Sequence, residues 1–140
     1  MWLVGELGLE HERYDVGMEY GGNDTSEYLA MNPNGVVPTI EDDGFILWES
    51  NACVRYLASK YSAGVLYPDN LQSRAEADRW LDWQQTTLIW AFIPIFWNLI
   101  RTPPEKRDME LVETKRQETI LCYQMLEQYL KEREFLAGSD

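Results

Sequence analysis

The sequence has 140 residues, room for one ordinary domain or two small ones sharing an interface. A formal net charge of −12 argues against nucleic acid as a partner, since phosphate binding needs a basic stripe, and against docking on anionic membranes, and otherwise serves solubility. Cys53 and Cys122 lie far apart without metal-ligand spacing, and His11, the single histidine, sits in a polar surface run; this leaves no two-histidine metal site, little material for a Ser-His-Asp triad, and a reducing cytoplasm as the expected compartment.

The opening lacks the basic-then-apolar pattern of a signal peptide. In Met1 to Leu9, Trp2, Leu3 and Leu7 recur at helical spacing and Gly8 is a stop signal. No cap precedes the segment, so it reads as the last turns of a helix, with the chain starting inside an element. From Glu10 to Met18, the residues Tyr14, Val16 and Met18 alternate with Arg13, Asp15 and Gly17, which predicts a short strand. After the loop Gly21-Gly22-Asn23-Asp24, Thr25 or Ser26 caps a short helix that Asn32-Pro33 ends at Met31.

The next stretch organises the chain. Val36 to Glu41 is predicted as one strand, Asp43-Gly44 as a tight hairpin turn, and Phe45 to Trp48 as the partner strand. Ser50 then caps a helix to about Tyr61 with Cys53, Tyr56 and Leu57 on its apolar face. Val37-Pro38 and Glu49-Ser50 stand at the two ends of this unit, where polar groups could meet a small ligand. Ser50 serves its helix, a ligand, or both. Glu49 is either a solvated strand-end acid or a ligand contact. Cys53 reads as a small buried residue.

Residues 62–73 form a linker with the domain boundary, and strand signals vanish beyond it. Arg74 to Arg101 reads as one long helix, with Trp80, Trp83, Thr87, Trp90, Pro94 and Trp97 at spacings of three and four on one seam and a kink at Pro94. Its most apolar run, Leu88 to Ile100, is too short to span a bilayer and is interrupted by Pro94 and Asn98. The tryptophan seam is core, the lining of an apolar co-substrate pocket, or part of a dimer interface. Thr102-Pro103-Pro104-Glu105 has capping-box spacing and opens a second long helix to about Glu132, with Leu111, Cys122, Leu126 and Tyr129 inward. Phe135 to Asp140 looks like a turn toward a further element.

The order of elements resembles the glutathione S-transferase family. The resemblance rests on Asn32-Pro33-Asn34-Gly35-Val36-Val37-Pro38-Thr39, Leu47-Trp48-Glu49-Ser50-Asn51-Ala52 and Arg55-Tyr56-Leu57-Ala58. Leu66-Tyr67-Pro68, Arg74, Trp80-Leu81-Asp82-Trp83 and Phe135-Leu136-Ala137-Gly138 continue it in the family's order across nearly the whole chain, most like bacterial cytosolic members. It implies an α/β plus all-α architecture. An incomplete thioredoxin-like N-terminal domain without its first strand (1–61) precedes the linker (62–73) and an incomplete helical C-terminal domain (74–140).

The resemblance also implies a cis bond before Pro38, aiming the Val37 backbone N–H and C=O at the cysteinyl backbone of glutathione like one more strand. Glu49 would accept the γ-glutamyl ammonium, and Ser50, at a helix start, would receive its carboxylate. Where some classes place a Lys or His for the glycyl carboxylate, this chain has Gly35, so a backbone amide or Asn34 would serve. Trp83, Trp90 and Trp97 are candidates for the co-substrate pocket or interface.

The family's sulfur-directed Ser, Tyr or Cys lies before its first helix, a position with no counterpart here, so no catalytic residue is assigned. The 140 residues read as truncated at both ends, inactive and poorly folded alone because the strand at Arg13 to Met18 lacks its partner. The complete parent is expected to be a cytoplasmic homodimer that conjugates glutathione to small electrophiles without a metal. The alternative is a non-catalytic transferase-fold module for binding or protein interaction. A thioredoxin-type oxidoreductase would need a Cys-X-X-Cys pair, which the sequence lacks.

Overall fold

The computed structural model describes residues 1–138 and divides into two units, Met1–Asp69 and Asn70–Asp140. In the first, helix α1 (Trp2–Glu6) presents Leu3, Val4 and Leu7 half-buried and packs against the later helix α3, whereas Trp2 is exposed and donates to Glu6. The predicted strand from Glu10 to Met18 does not form. A strand exists through ladder bonds to a neighbour, and the only described sheet has two strands, both further along the chain. The segment is irregular and closes in a 3₁₀ turn at Met18–Tyr20, pinned by the Gly17 N–H to Gly21 C=O bond.

Helix α2 (Ser26–Met31) is capped by Thr25, whose hydroxyl accepts from the Tyr28 N–H. Strands β1 (Thr39–Asp42) and β2 (Phe45–Trp48) pair antiparallel, with Thr39 opposite Trp48 and Asp42 opposite Phe45. Asp43 and Gly44 both have positive φ, the signature of the two-residue turn that matches strand twist. β1 starts three residues later than Val36. The Val36 carbonyl is taken by side chains and Pro38 has no N–H, so neither serves a ladder.

Helix α3 (Ser50–Tyr61) buries Cys53, Leu57 and Ala58 and packs on β2. Ser50 is its first residue rather than its cap. The turn out of β2 is made at Glu49, which moves the cap position one residue earlier, and the Glu49 side chain makes no capping bond.

In the second unit, α4 (Leu71–Trp83) begins three residues before Arg74 because the Asn70 side chain caps it, accepting from the Gln72 and Ser73 N–H groups at 3.0 and 3.1 Å. The helical path continues through a π-helical turn (Gln84–Leu88), α5 (Ile89–Phe96) and a second π-helical turn (Trp97–Arg101). These wider turns shift the register, so the tryptophans do not form one inward seam. Trp80 and Trp83 are half-buried, whereas Trp90 is 67% and Trp97 50% exposed.

Thr102 does not open the next helix, since its hydroxyl donates back to the Trp97 carbonyl. After a 3₁₀ turn at Pro104–Lys106, Asp108 caps α6 (Met109–Leu130) by accepting from the Leu111 N–H. α6 packs on α5, with Ala91, Val112 and Thr119 buried. Leu111 is exposed, because the inward stripe runs through Val112, Thr119, Cys122, Leu126 and Tyr129, one residue out of phase with it. Of the closing Phe135 to Asp140, Leu136 and Ala137 are half-buried, and Ser139 and Asp140 lie outside the described residues.

Candidate functional site

A small cleft of about 80 Å³ opens in the first unit, lined by Asn32, Val36, Val37, Pro38, Trp48, Glu49 and Ser50. The hairpin brings its two rims together, because pairing Thr39 with Trp48 places the residues before β1 beside those after β2.

The first rim is a turn built from α2. Pro33 stops that helix, and Asn32, 1% exposed, folds its amide back into the loop. Its Nδ2 donates to the Val36 carbonyl at 2.7 Å and to Thr39 Oγ1 at 3.2 Å, and its Oδ1 accepts from the Asn34 N–H and Nδ2. The Tyr28 hydroxyl donates to the same Val36 carbonyl at 2.8 Å and lies 2.9 Å from Thr39 Oγ1. The Val37–Pro38 bond is cis. Among the described residues, no hydrogen bond is made by the Val37 N–H or C=O.

Gly35 has φ +63°, and a Cβ there would come within 3.1 Å of the Asn23 carbonyl. Asn23 Nδ2 in turn donates to the Gly35 carbonyl at 2.7 Å. A side chain at 35 would therefore strain the turn. Asn34 is exposed and is not among the residues lining the cleft.

The second rim is the start of α3. Glu49 has φ 73° and ψ 117°, a conformation that a residue with a Cβ rarely adopts. Its exposed side chain stands beside the helix N-terminus, where the backbone dipole favours negative charge. One turn on, Cys53 is buried and its Sγ lies 3.6 Å from the Leu47 carbonyl. Burial raises the pKa of this thiol, and the Glu49 charge adds to the effect, as fits a residue packed in the core of the unit. His11 is exposed and contributes nothing to the cleft. No group of three or more potential metal-ligating side chains occurs among the described residues.

Sequence reasoning singled out Val37, Pro38, Glu49 and Ser50, and the fold gathers all four around one cleft. It missed Tyr28, Asn32 and Trp48. An Asn at a helix end before a proline was a usable signal, because Asx side chains bond to backbone two residues on. Trp83, Trp90 and Trp97 belong to the second unit.

A cis-proline turn facing a hairpin and helix start defines a thioredoxin-like glutathione-transferase fold, here with a two-stranded sheet and a following helical part. The family model for the glutathione S-transferase N-terminal domain matches residues 1–59. The chain is 39% identical to the theta class glutathione S-transferase from Xanthomonas axonopodis pv. citri, a crystal structure with glutathione bound, at a TM-score of 0.94 over 99% of this chain and 67% of that one. It is 42% identical over 137 residues to glutathione S-transferase GstB of Escherichia coli K12, covering 96% of this chain and 66% of that protein. With glutathione S-transferase theta-1 of Rattus norvegicus it shares 33% identity, covering 93% of this chain and 56% of that protein. This chain belongs to the glutathione S-transferase family. It spans a little under two thirds of GstB and just over half of the rat relative.

Proposed function

We propose that the cleft binds glutathione and that the protein transfers its thiolate to small electrophiles. The observation that carries this reading is the Val37 N–H and C=O, without a hydrogen bond among the described residues, at the rim opposite Glu49 and Ser50. An extended cysteinyl backbone would pair with Val37 as an added strand, beside Pro38. The γ-glutamyl ammonium would meet Glu49 through a charge-assisted bond, and its carboxylate would sit at Ser50 on the α3 N-terminus. Asn34 and nearby backbone amides would receive the glycyl carboxylate. The glutathione bound in the Xanthomonas relative supports this assignment.

The exposed faces of Trp90 and Trp97, with Trp83 nearby in sequence, offer apolar surface for the electrophile or for a second copy in a homodimer. The glutathione-recognising part is assigned to residues 1–61, the linker to 62–73 and the helical part to 74–140. A cytoplasmic location is part of the same reading, and no described helix is long and apolar enough to cross a membrane.

The test is calorimetric titration with glutathione of the wild type, Glu49→Ala and Ser50→Ala. Weakening of about tenfold in each variant is expected from loss of one charge-assisted contact. Unchanged affinity in both refutes the site assignment.

A further inference from the structure

We propose that Tyr28, Asn32 and Thr39 are positioning residues, which fix the direction of the Val37 N–H toward a carbonyl on the ligand. The inference rests on the glutathione reading above and goes beyond it, since none of the three contacts the cysteinyl backbone in that reading. The Val36 C=O and the Val37 N–H belong to one planar peptide group. That bond is trans, because the only cis bond described is the next one. In a trans peptide the carbonyl and the N–H point in opposite directions. Whatever holds the carbonyl inward therefore turns the N–H outward.

Two buried side chains hold it. Asn32, 1% exposed, and Tyr28, 7% exposed, donate to the Val36 oxygen at 2.7 and 2.8 Å and fill both of its lone pairs. The network then closes without an orphan. The single Tyr28 proton goes to Val36, so the Tyr28–Thr39 contact is donated by Thr39, whose oxygen accepts in turn from Asn32 Nδ2 at 3.2 Å. Rotating the peptide plane would break both hydrogen bonds from these buried donors, a cost that keeps the N–H facing out before any ligand arrives. This is preorganisation by side chains that lie behind the recognising group.

A purely structural role would stabilise the loop without regard to ligand chemistry, so the test separates the two. Glutathione is compared with γ-glutamylcysteamine, which keeps the γ-glutamyl group, the amide N–H and the thiol but has no cysteinyl carbonyl. Tyr28→Phe removes one hydroxyl and keeps the ring. In the variant shown to be folded by circular dichroism, the Kd for glutathione is expected to rise about 3- to 10-fold, the worth of one weakened hydrogen bond. The Kd for γ-glutamylcysteamine is expected to change less than about twofold, because that ligand offers the N–H nothing.

Thr39→Val repeats the measurement should Tyr28→Phe not fold, and Thr39→Ser, which keeps the hydroxyl, is expected to restore wild-type discrimination. Equal weakening for both ligands, or no change for either in a folded variant, overturns the inference while leaving the glutathione reading intact. A wild-type chain that binds neither ligand overturns both.

Discussion

The Lys60 ammonium lies 2.8 Å from the Asp42 carboxylate and joins the last turn of α3 to the end of β1. Tyr56 and Tyr61 donate to the two oxygens of the same carboxylate at 2.8 and 2.7 Å, so Asp42 accepts from three side chains of one helix. The Lys60 ammonium also lies 5.0 Å from the Tyr61 ring centroid. The Asp42 side chain is only 14% exposed, which sets it apart from an ordinary surface ion pair. A two-stranded sheet is marginal by itself, and this cluster is one of the ties that hold it on α3.

These contacts give the first unit a defined acid sensitivity. The Lys60 and Tyr61 bonds hold the Asp42 pKa down to about 2, from an ordinary 3.8. A carboxylate whose pKa is lower when folded binds fewer protons folded than unfolded. Its contribution is therefore complete above about pH 4 and is lost as pH falls toward 2. Lys60 is shifted upward by the same partners, so its share is present through neutral pH and is lost only in strong alkali. Urea denaturation between pH 6 and 2 is expected to show stability falling below about pH 4. Asp42→Asn should be less stable at neutral pH and show a flatter acid limb. Glu113, also held at about 2 by Arg116, contributes less because both partners are more than half exposed.

The parts of the fold legible in the sequence were those with local causes. Asp43-Gly44 announces its turn because positive φ at successive residues is a backbone requirement, and Thr25 announces a cap through its hydroxyl. The Arg13 to Met18 alternation misled because period two says which face a residue would take, not whether a neighbour exists to pair with. The tryptophan spacing misled because counting threes and fours assumes one helical period throughout, whereas two π-helical turns reset the register. At the site, Glu49 and Ser50 were visible as polar residues at a strand–helix junction. Tyr28 was not, because its hydroxyl reaches Val36 and Thr39, eight and eleven residues away, across a loop whose path only the fold defines.

The helix caps of the second unit are individually testable. Asn70 satisfies two N–H groups at the start of α4, and Asp108 satisfies one at the start of α6. Asn70→Ala and Asp108→Ala are each expected to cost about 1 kcal/mol, whereas Asn70→Asp and Asp108→Asn should be nearly neutral because the accepting oxygen remains. Chemical denaturation monitored by the tryptophans of α4 and α5 measures this. A cost equally large for the conservative pair would show that side-chain shape, not the accepted bond, matters at these ends.

Cys53 should be chemically quiet. Its thiol is buried and its pKa is raised by that burial, so thiolate is disfavoured and little of the residue meets solvent. Peptide mapping after iodoacetamide treatment is expected to find Cys53 unmodified in the native protein and modified in urea. Rapid native labelling of Cys53 would mean that α3 opens locally. Cys53→Ala should cost about 1 kcal/mol or more from the cavity it leaves, and Cys53→Ser would bury a hydroxyl at a site shaped for sulfur.

Glu49 places a charged side chain where glycine would be the undemanding choice. Its φ of 73° and ψ of 117° lie outside the regions open to a residue with a Cβ, and such a residue costs about 1 to 3 kcal/mol. Its side chain makes no capping bond to offset that cost. Glu49→Gly removes the clash but frees the unfolded chain by about 0.5 to 1 kcal/mol, leaving an expected net gain of about 1 kcal/mol. Glu49→Ala keeps the Cβ and gains nothing. The two variants should therefore part in a thermal melt, with only glycine raising Tm. They should agree in a glutathione titration, both binding about tenfold more weakly, because each lacks the carboxylate. If glycine raises Tm and leaves binding untouched, the strain at this corner serves the turn from β2 into α3 and not the ligand. If it raises Tm and weakens binding, stability at the corner is sacrificed to hold a carboxylate over the cleft.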